Sequence, residues 1–284
     1  MCATCGCAGD GAVVRLDDQA HGHGHEHEHE HEHEHGDGLL IPPGDARTVV
    51  LQRKVLAKND EIAARTRDWL VGRGVFLLNL MSSPGAGKTT LLEHTGRDLA
   101  GRLTVGVIEG DQETALDAGR VSAAGCRVVQ INTGAGCHLD AEMVARGLEA
   151  LGPEPGSAVV VENVGNLVCP ALFDLGEARR VVLASVTEGA DKPMKYPHMF
   201  RTADLVLLTK VDLLPYVEFD VERFAADLGL VSAGARLMRV SAVAGTGLSE
   251  WCEWLCRVAR PAARSSARGR PTASGRPPRP PGRG

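Results

Sequence analysis

Three groups of residues in this chain could do chemistry. They are thiols and imidazoles at metal-ligand spacing, a glycine-rich loop ending in Lys-Thr-Thr, and acids at the ends of predicted strands. Cys2, Cys5 and Cys7 crowd into the first seven residues, a spacing that suits a metal site better than cross-links. His21, His23, His25, His27, His29, His31, His33 and His35 follow, mostly alternating with glutamate. Thiolates and imidazoles suit Ni(II) and Zn(II), whereas oxygen donors alone suit magnesium or calcium. Nickel would take four N and S donors in a plane and zinc a tetrahedral set; the spacing does not separate them. The histidine arm would bind ions reversibly and release them near pH 6, because only the neutral imidazole is a ligand. It is therefore expected to be a weak store of such ions, with the three cysteines holding a defined ion.

Residues 82–90 read Ser-Ser-Pro-Gly-Ala-Gly-Lys-Thr-Thr. A phosphate-binding loop needs backbone N–H groups converging on one centre, a lysine for the outer phosphates and a hydroxyl for Mg2+. Gly85, Ala86, Gly87, Lys88, Thr89 and Thr90 supply these; Ser82 stands where the usual pattern begins with glycine. Further on, Thr209-Lys210-Val211-Asp212 follows an apolar run. Asp212 can accept hydrogen bonds from guanine N1–H and its exocyclic amine, which adenine does not present. The Lys210 stem can lie over the base, and Ser241-Ala242 fits a contact to the guanine oxygen, so GTP is expected over ATP. Asp111 in Glu-Gly-Asp and Glu162 in Glu-Asn-Val-Gly-Asn are the expected acidic partners of Mg2+ beside Thr89. Asp111 could instead cap the next helix. Lys88, Thr89, Asp111 and Glu162 form the expected catalytic set.

Positioning these groups requires a particular frame. Strands are predicted at 75–81, 103–108, 127–131, 158–161, 180–186, 205–208 and 237–240. Most are short and apolar on both faces, as in a covered parallel sheet. Helices are predicted at 89–100, 140–151, 221–228 and 248–258, and the periodicity of 47–71 is helical, ended by Gly72 and Gly74. A phosphate loop after the first strand of such an alternation implies an α/β, three-layer P-loop NTPase with a mostly parallel sheet. The expected domains are a flexible Cys/His-rich arm at 1–45, the nucleotide-binding domain at 46–259 and a disordered Arg/Pro/Gly-rich tail at 260–284.

The chain has 284 residues, 43% hydrophobic, and a formal net charge of -5. That is enough for one ordinary core. Eight cysteines do not make a disulfide framework in a chain of this size, and no leader is read ahead of Cys2, so a cytoplasmic protein with reduced thiols is expected. No apolar run approaches membrane-spanning length. The tail carries arginines and no acid after Glu253. Without interleaved aromatics it is expected to be a solvated tail, and nucleic acid is not an expected partner. Cys126, Cys252 and Cys256 fit core packing.

Taken together, these motifs resemble the HypB family, GTPases that help insert nickel into [NiFe] hydrogenase. The matching pieces are Cys-x-x-Cys-Gly-Cys, the His-rich arm, the phosphate loop, Glu-Gly-Asp, and Asn-Thr-Gly-Ala-Gly-Cys-His-Leu-Asp at 132–140. They continue with Glu-Asn-Val-Gly-Asn-Leu-Val-Cys-Pro at 162–170, Asp-Lys-Pro-Met-Lys-Tyr-Pro at 191–197 and Thr-Lys-x-Asp. The resemblance implies a slow GTPase that forms a homodimer when GTP is bound and delivers nickel during hydrogenase maturation. It implies tight nickel binding at Cys2, Cys5 and Cys7. A second nickel or zinc site at the dimer interface maps onto Cys137, His138 and Cys169. It places Lys192 near nucleotide and interface, and implies other maturation accessory proteins and the hydrogenase large-subunit precursor as partners. Two other readings are a nickel or zinc store with a vestigial GTPase, and a urease-type accessory GTPase, against which the Cys-x-x-Cys-Gly-Cys start argues.

Overall fold

A computed structural model describes residues 46–111, 116–134 and 136–260, with backbone alone at 46–53, 111 and 116. The arm with Cys2, Cys5, Cys7 and the eight histidines, and the tail after 260, lie outside the described residues.

The apolar runs form seven strands: β1 (Phe76–Ser82), β2 (Val105–Asp111), β3 (Arg127–Asn132), β4 (Ala158–Glu162), β5 (Arg179–Ser185), β6 (Leu205–Thr209) and β7 (Arg236–Arg239). They pair in the order β3-β2-β4-β1-β5-β6-β7, and every pairing is parallel. The sheet is thus wholly rather than mostly parallel. β1 lies at its centre and is buried along its whole length. Such a strand gains hydrophobic burial on both faces, which explains why its sequence shows no polar alternation.

Alternate residues of each strand face opposite layers. Leu78 and Leu80 of β1 join Val160, Val181 and Leu207 in a core covered by α2 (Lys88–Leu99) and α8 (Leu248–Ala259), with Val121 of α3 (Leu116–Ala123). On the other face, Leu77, Val159 and Val161 pack against α1 (Ala46–Arg73) and α4 (Ala141–Leu151). Met81, Val182, Val206 and Leu208 pack there against α6 (Pro197–Arg201) and α7 (Val221–Val231). The result is the expected three layers.

Helix boundaries follow local chemistry. Asp140 caps α4, its carboxylate accepting from Met143 N at 2.7 Å, and Asp220 caps α7 through Arg223 N at 2.9 Å, each satisfying a first-turn donor. Two boundaries differ from expectation. α1 runs through Gly72 and ends at Gly74, whose φ of 66° breaks the helix. The 192–201 segment, for which no element is predicted, holds the short helices α5 (Lys192–Lys195) and α6, each opened by a proline in its first turn. Cys126 and Cys252 are buried. Burial raises both thiols, Cys252 to about 11, so they are inert core residues as expected. No described helix is long and apolar enough to cross a membrane.

Candidate functional site

The chain leaves β1 at Ser82 and turns through the glycine-rich loop before α2 starts at Lys88. Gly85 and Gly87 have φ of 73° and 101°, conformations that side chains resist, so the loop can wrap with its N–H groups inward. Lys88 and Thr89 are buried. Lys88 Nζ donates to Ser82 Oγ at 2.9 Å, so the residue in place of the usual glycine anchors the lysine stem end. Thr89 Oγ1 donates to Glu162 Oε1 at 2.9 Å, which joins two of the expected Mg2+ partners across the sheet's carboxyl edge.

These groups line a cavity of about 520 Å³ with Gly85, Gly87, Lys88, Thr89, Thr90, Glu109, Asn163 and Lys210 in its wall. The cavity lies at the carboxyl ends of β1, β2 and β4, where open parallel sheets take ligands. Glu109, buried at 4% exposure, was not among the expected acids, although it belongs to the same Glu-Gly-Asp string. Two carboxylates, Glu109 and Glu162, and the Thr89 hydroxyl form an oxygen-rich set that fits Mg2+. Asp111 ends β2; its side chain and residues 112–115 lie outside the described residues.

The residues expected to read the base follow β6. Thr209 Oγ1 donates to Ala86 O at 2.7 Å, so its hydroxyl serves the phosphate loop and ties the two motifs together. Lys210 follows with φ 58°, a strained conformation for a residue with a Cβ, and lines the cavity. Ser241 is fully buried. Its Oγ donates to Asp212 Oδ1 at 2.5 Å and accepts from Ala244 N at 3.0 Å, fixing the carboxylate beside the Ser241-Ala242 turn.

The three expected ligands of the second metal site meet. The ligating atoms of Cys137, His138 and Cys169 all lie within 4.8 Å of one another, and Cys137 Sγ is 3.6 Å from His138 Nδ1. Two soft sulfurs and a nitrogen suit nickel or zinc. His138 stacks on Phe173 with ring centroids 4.0 Å apart, a contact without a sequence signal. Burial lowers its pKa and outweighs the raising effect of Asp140, keeping the imidazole neutral, as a ligand must be. Asn59 of α1 donates to Asp174 O at 2.8 Å and accepts from Ala141 N at 2.9 Å, tying the segment after Phe173 to the start of α4.

Lys192 opens α5 away from the cavity wall. Its Nζ is 3.4 Å from Glu188 Oε2, which accepts from Ser83 Oγ of the phosphate loop at 2.5 Å. The lysine is thus linked to the loop through a glutamate that the sequence did not flag, four residues before it.

The profile described as "CobW/HypB/UreG, nucleotide-binding domain" matches residues 76–239. "Hydrogenase maturation factor HypB" of Rhizobium leguminosarum bv. viciae is 52% identical over 220 residues, covering 77% of this chain and 74% of that protein. The "Crystal structure of Hydrogenase Maturation Factor HypB From Archaeoglobus Fulgidus" superposes with a TM-score of 0.68 at 38% identity, over 72% of this chain and 100% of that one. The "Crystal structure of HypB from Helicobacter pylori in complex with nickel" gives a TM-score of 0.68 at 36% identity, over 73% and 99%.

Proposed function

The chain belongs to the HypB branch of the CobW/HypB/UreG nucleotide-binding family, and from that premise we propose that it is a GTP-hydrolysing nickel metallochaperone for [NiFe] hydrogenase maturation. The observation that carries this reading is the junction of two sites on one segment. Glu162, bonded to Thr89, and Cys169, gathered with Cys137 and His138, are seven residues apart on the same strand-end stretch.

Lys88 and the loop N–H groups hold the β- and γ-phosphates, and Thr89, Glu162, Asp111 and Glu109 hold Mg2+ directly or through its waters. Bound Mg2+ supplies charge neutralisation for phosphoryl transfer. Asp212 and Ser241 select guanine, with Lys210 over the base. Cys137, His138 and Cys169 carry Ni(II) or Zn(II) as cargo. GTP closes this site in a homodimer and hydrolysis releases the ion toward accessory proteins and the hydrogenase precursor. The exposed Val168 and Leu172, at 55% and 50%, flank Cys169 and support a partner face at the metal site, since apolar side chains there gain from being covered. Cys2, Cys5 and Cys7 bind nickel tightly, the histidine arm stores it, and the protein works in the cytoplasm.

Lys88→Ala should abolish GTP turnover while leaving nickel binding at Cys2, Cys5 and Cys7 intact. Turnover at the wild-type rate would remove the phosphate site as assigned.

A further inference from the structure

The proposed reading has GTP set metal affinity, and the segment 162–169 shows how it could. We propose that Asn163 and Asn166 are positioning residues that transmit the nucleotide state to the metal site, one to each half of it. The inference rests on the GTP-gated metal binding proposed above.

The segment starts in the nucleotide cavity. Glu162 accepts from Thr89, and Asn163 lines the cavity wall. Gly165 lies against the phosphate loop so closely that a Cβ there would sit 2.9 Å from Pro84 N and Cα. Motion of the loop is therefore felt directly by this backbone, because no compressible space separates them.

From there two amides reach the metal ligands. Asn163 is buried at 1% exposure. Its Nδ2 donates to Asn79 Oδ1 of β1 at 3.2 Å, and its Oδ1 accepts from Leu139 N at 3.2 Å and Val164 N at 3.0 Å. Leu139 directly follows His138, so this amide holds the Cys137–His138 loop to the central strand. Asn166 Oδ1 accepts from Val168 N at 2.7 Å and Cys169 N at 3.4 Å, so it sets the turn that aims the other thiol. A shift of 162–165 then moves Cys169 and the Cys137–His138 pair relative to each other, which changes the affinity of a site whose donors must converge. Neither asparagine is among the three gathered metal donors, so each acts on the metal site through the residues it holds.

The test uses the full-length chain with Cys2, Cys5 and Cys7 changed to serine, so that thiolate-to-nickel absorption reports Cys137 and Cys169. Nickel Kd is measured with GDP and with a non-hydrolysable GTP analogue. The background chain should bind nickel at least about fivefold tighter with the analogue, within the usual range of allosteric coupling. Asn166→Ala should bring that ratio below about twofold, and Asn166→Asp, which keeps the acceptor, should restore it. Asn163→Ala should also lower it, with thermal melting checking that the variant folds. By linkage, nickel must change analogue affinity relative to GDP by the same factor in each protein. A background ratio retained in Asn166→Ala and in folded Asn163→Ala would overturn this inference and leave the functional reading standing. No ratio in the background chain would overturn the functional reading itself, and the inference with it.

Discussion

Asp212→Asn is the sharpest probe of base choice. In the fold, Ser241 Oγ holds one carboxylate oxygen at 2.5 Å, so the side chain is presented in a fixed orientation and is half-buried. A carboxylate can accept from both N1–H and the exocyclic amine of guanine. The amide offers one acceptor and sets its NH2 against a guanine donor. Losing one bond to a charged acceptor costs about 1.5–3 kcal/mol, and a donor left facing a donor costs about 1–3 kcal/mol more. The half-buried setting argues for the lower half of that sum, about 2.5–4 kcal/mol. At about 1.4 kcal/mol per decade, GTP affinity should fall about 10²- to 10³-fold. Xanthine carries a carbonyl in place of the amine, so XTP should bind the variant better than GTP does. Competition with a fluorescent guanine nucleotide in Mg2+ buffer measures both. A loss of GTP affinity under threefold, or wild-type protein binding ATP as tightly as GTP, would refute the base-reading role of Asp212.

Two further variants test the frame. Thr209→Val keeps the shape of a buried side chain but deletes the bond to Ala86 O. It should lower unfolding free energy by about 1–3 kcal/mol and weaken GTP binding, as read from urea titration and nucleotide Kd; unchanged values would mean that the β6–loop tie is immaterial. Asp174→Asn probes acid stability beside the metal site. Burial raises the Asp174 carboxyl, but bonds from Arg67 at 2.6 and 2.8 Å and from Gly176 N at 2.8 Å outweigh it, and its pKa falls. A folded pKa below the unfolded value stabilises the fold above about pH 4 and loses that contribution as pH falls through the folded value. The variant should therefore be about 1 kcal/mol less stable at pH 7, given the pair's partial exposure, and the deficit should shrink as pH falls below about 4; a deficit that does not change with pH would contradict this.

Much of the site was legible because phosphate and metal chemistry constrain residue type and spacing. Gly85 and Gly87 are needed where φ turns positive, and Lys88 and Thr89 must follow directly. The buried strands were legible because apolar runs with β-branched residues suit a doubly covered sheet. Cys137 and His138 lie in the loop before α4 and Cys169, about thirty residues on, opens a 3-10 turn after β4, and no periodicity brings them together. The resemblance to known proteins supplied that grouping, and the fold supplied its cause in the Asn163–Leu139 bond and the β4 strand end. Glu109 was hidden by its neighbour Asp111, since two acids on one strand end look alike in sequence. Glu188 and Phe173 gave no signal, because their roles depend on packing against Ser83 and His138. The helices at 192–201 are too short to show a period.

The central claim is that nucleotide state sets metal affinity at Cys137, His138 and Cys169. Its most direct measurement is the nickel Kd of that site with a GTP analogue and with GDP, read by thiolate-to-nickel absorption in the chain lacking Cys2, Cys5 and Cys7. The account predicts tighter binding with the analogue by at least about fivefold. Equal affinities in the two states would contradict it.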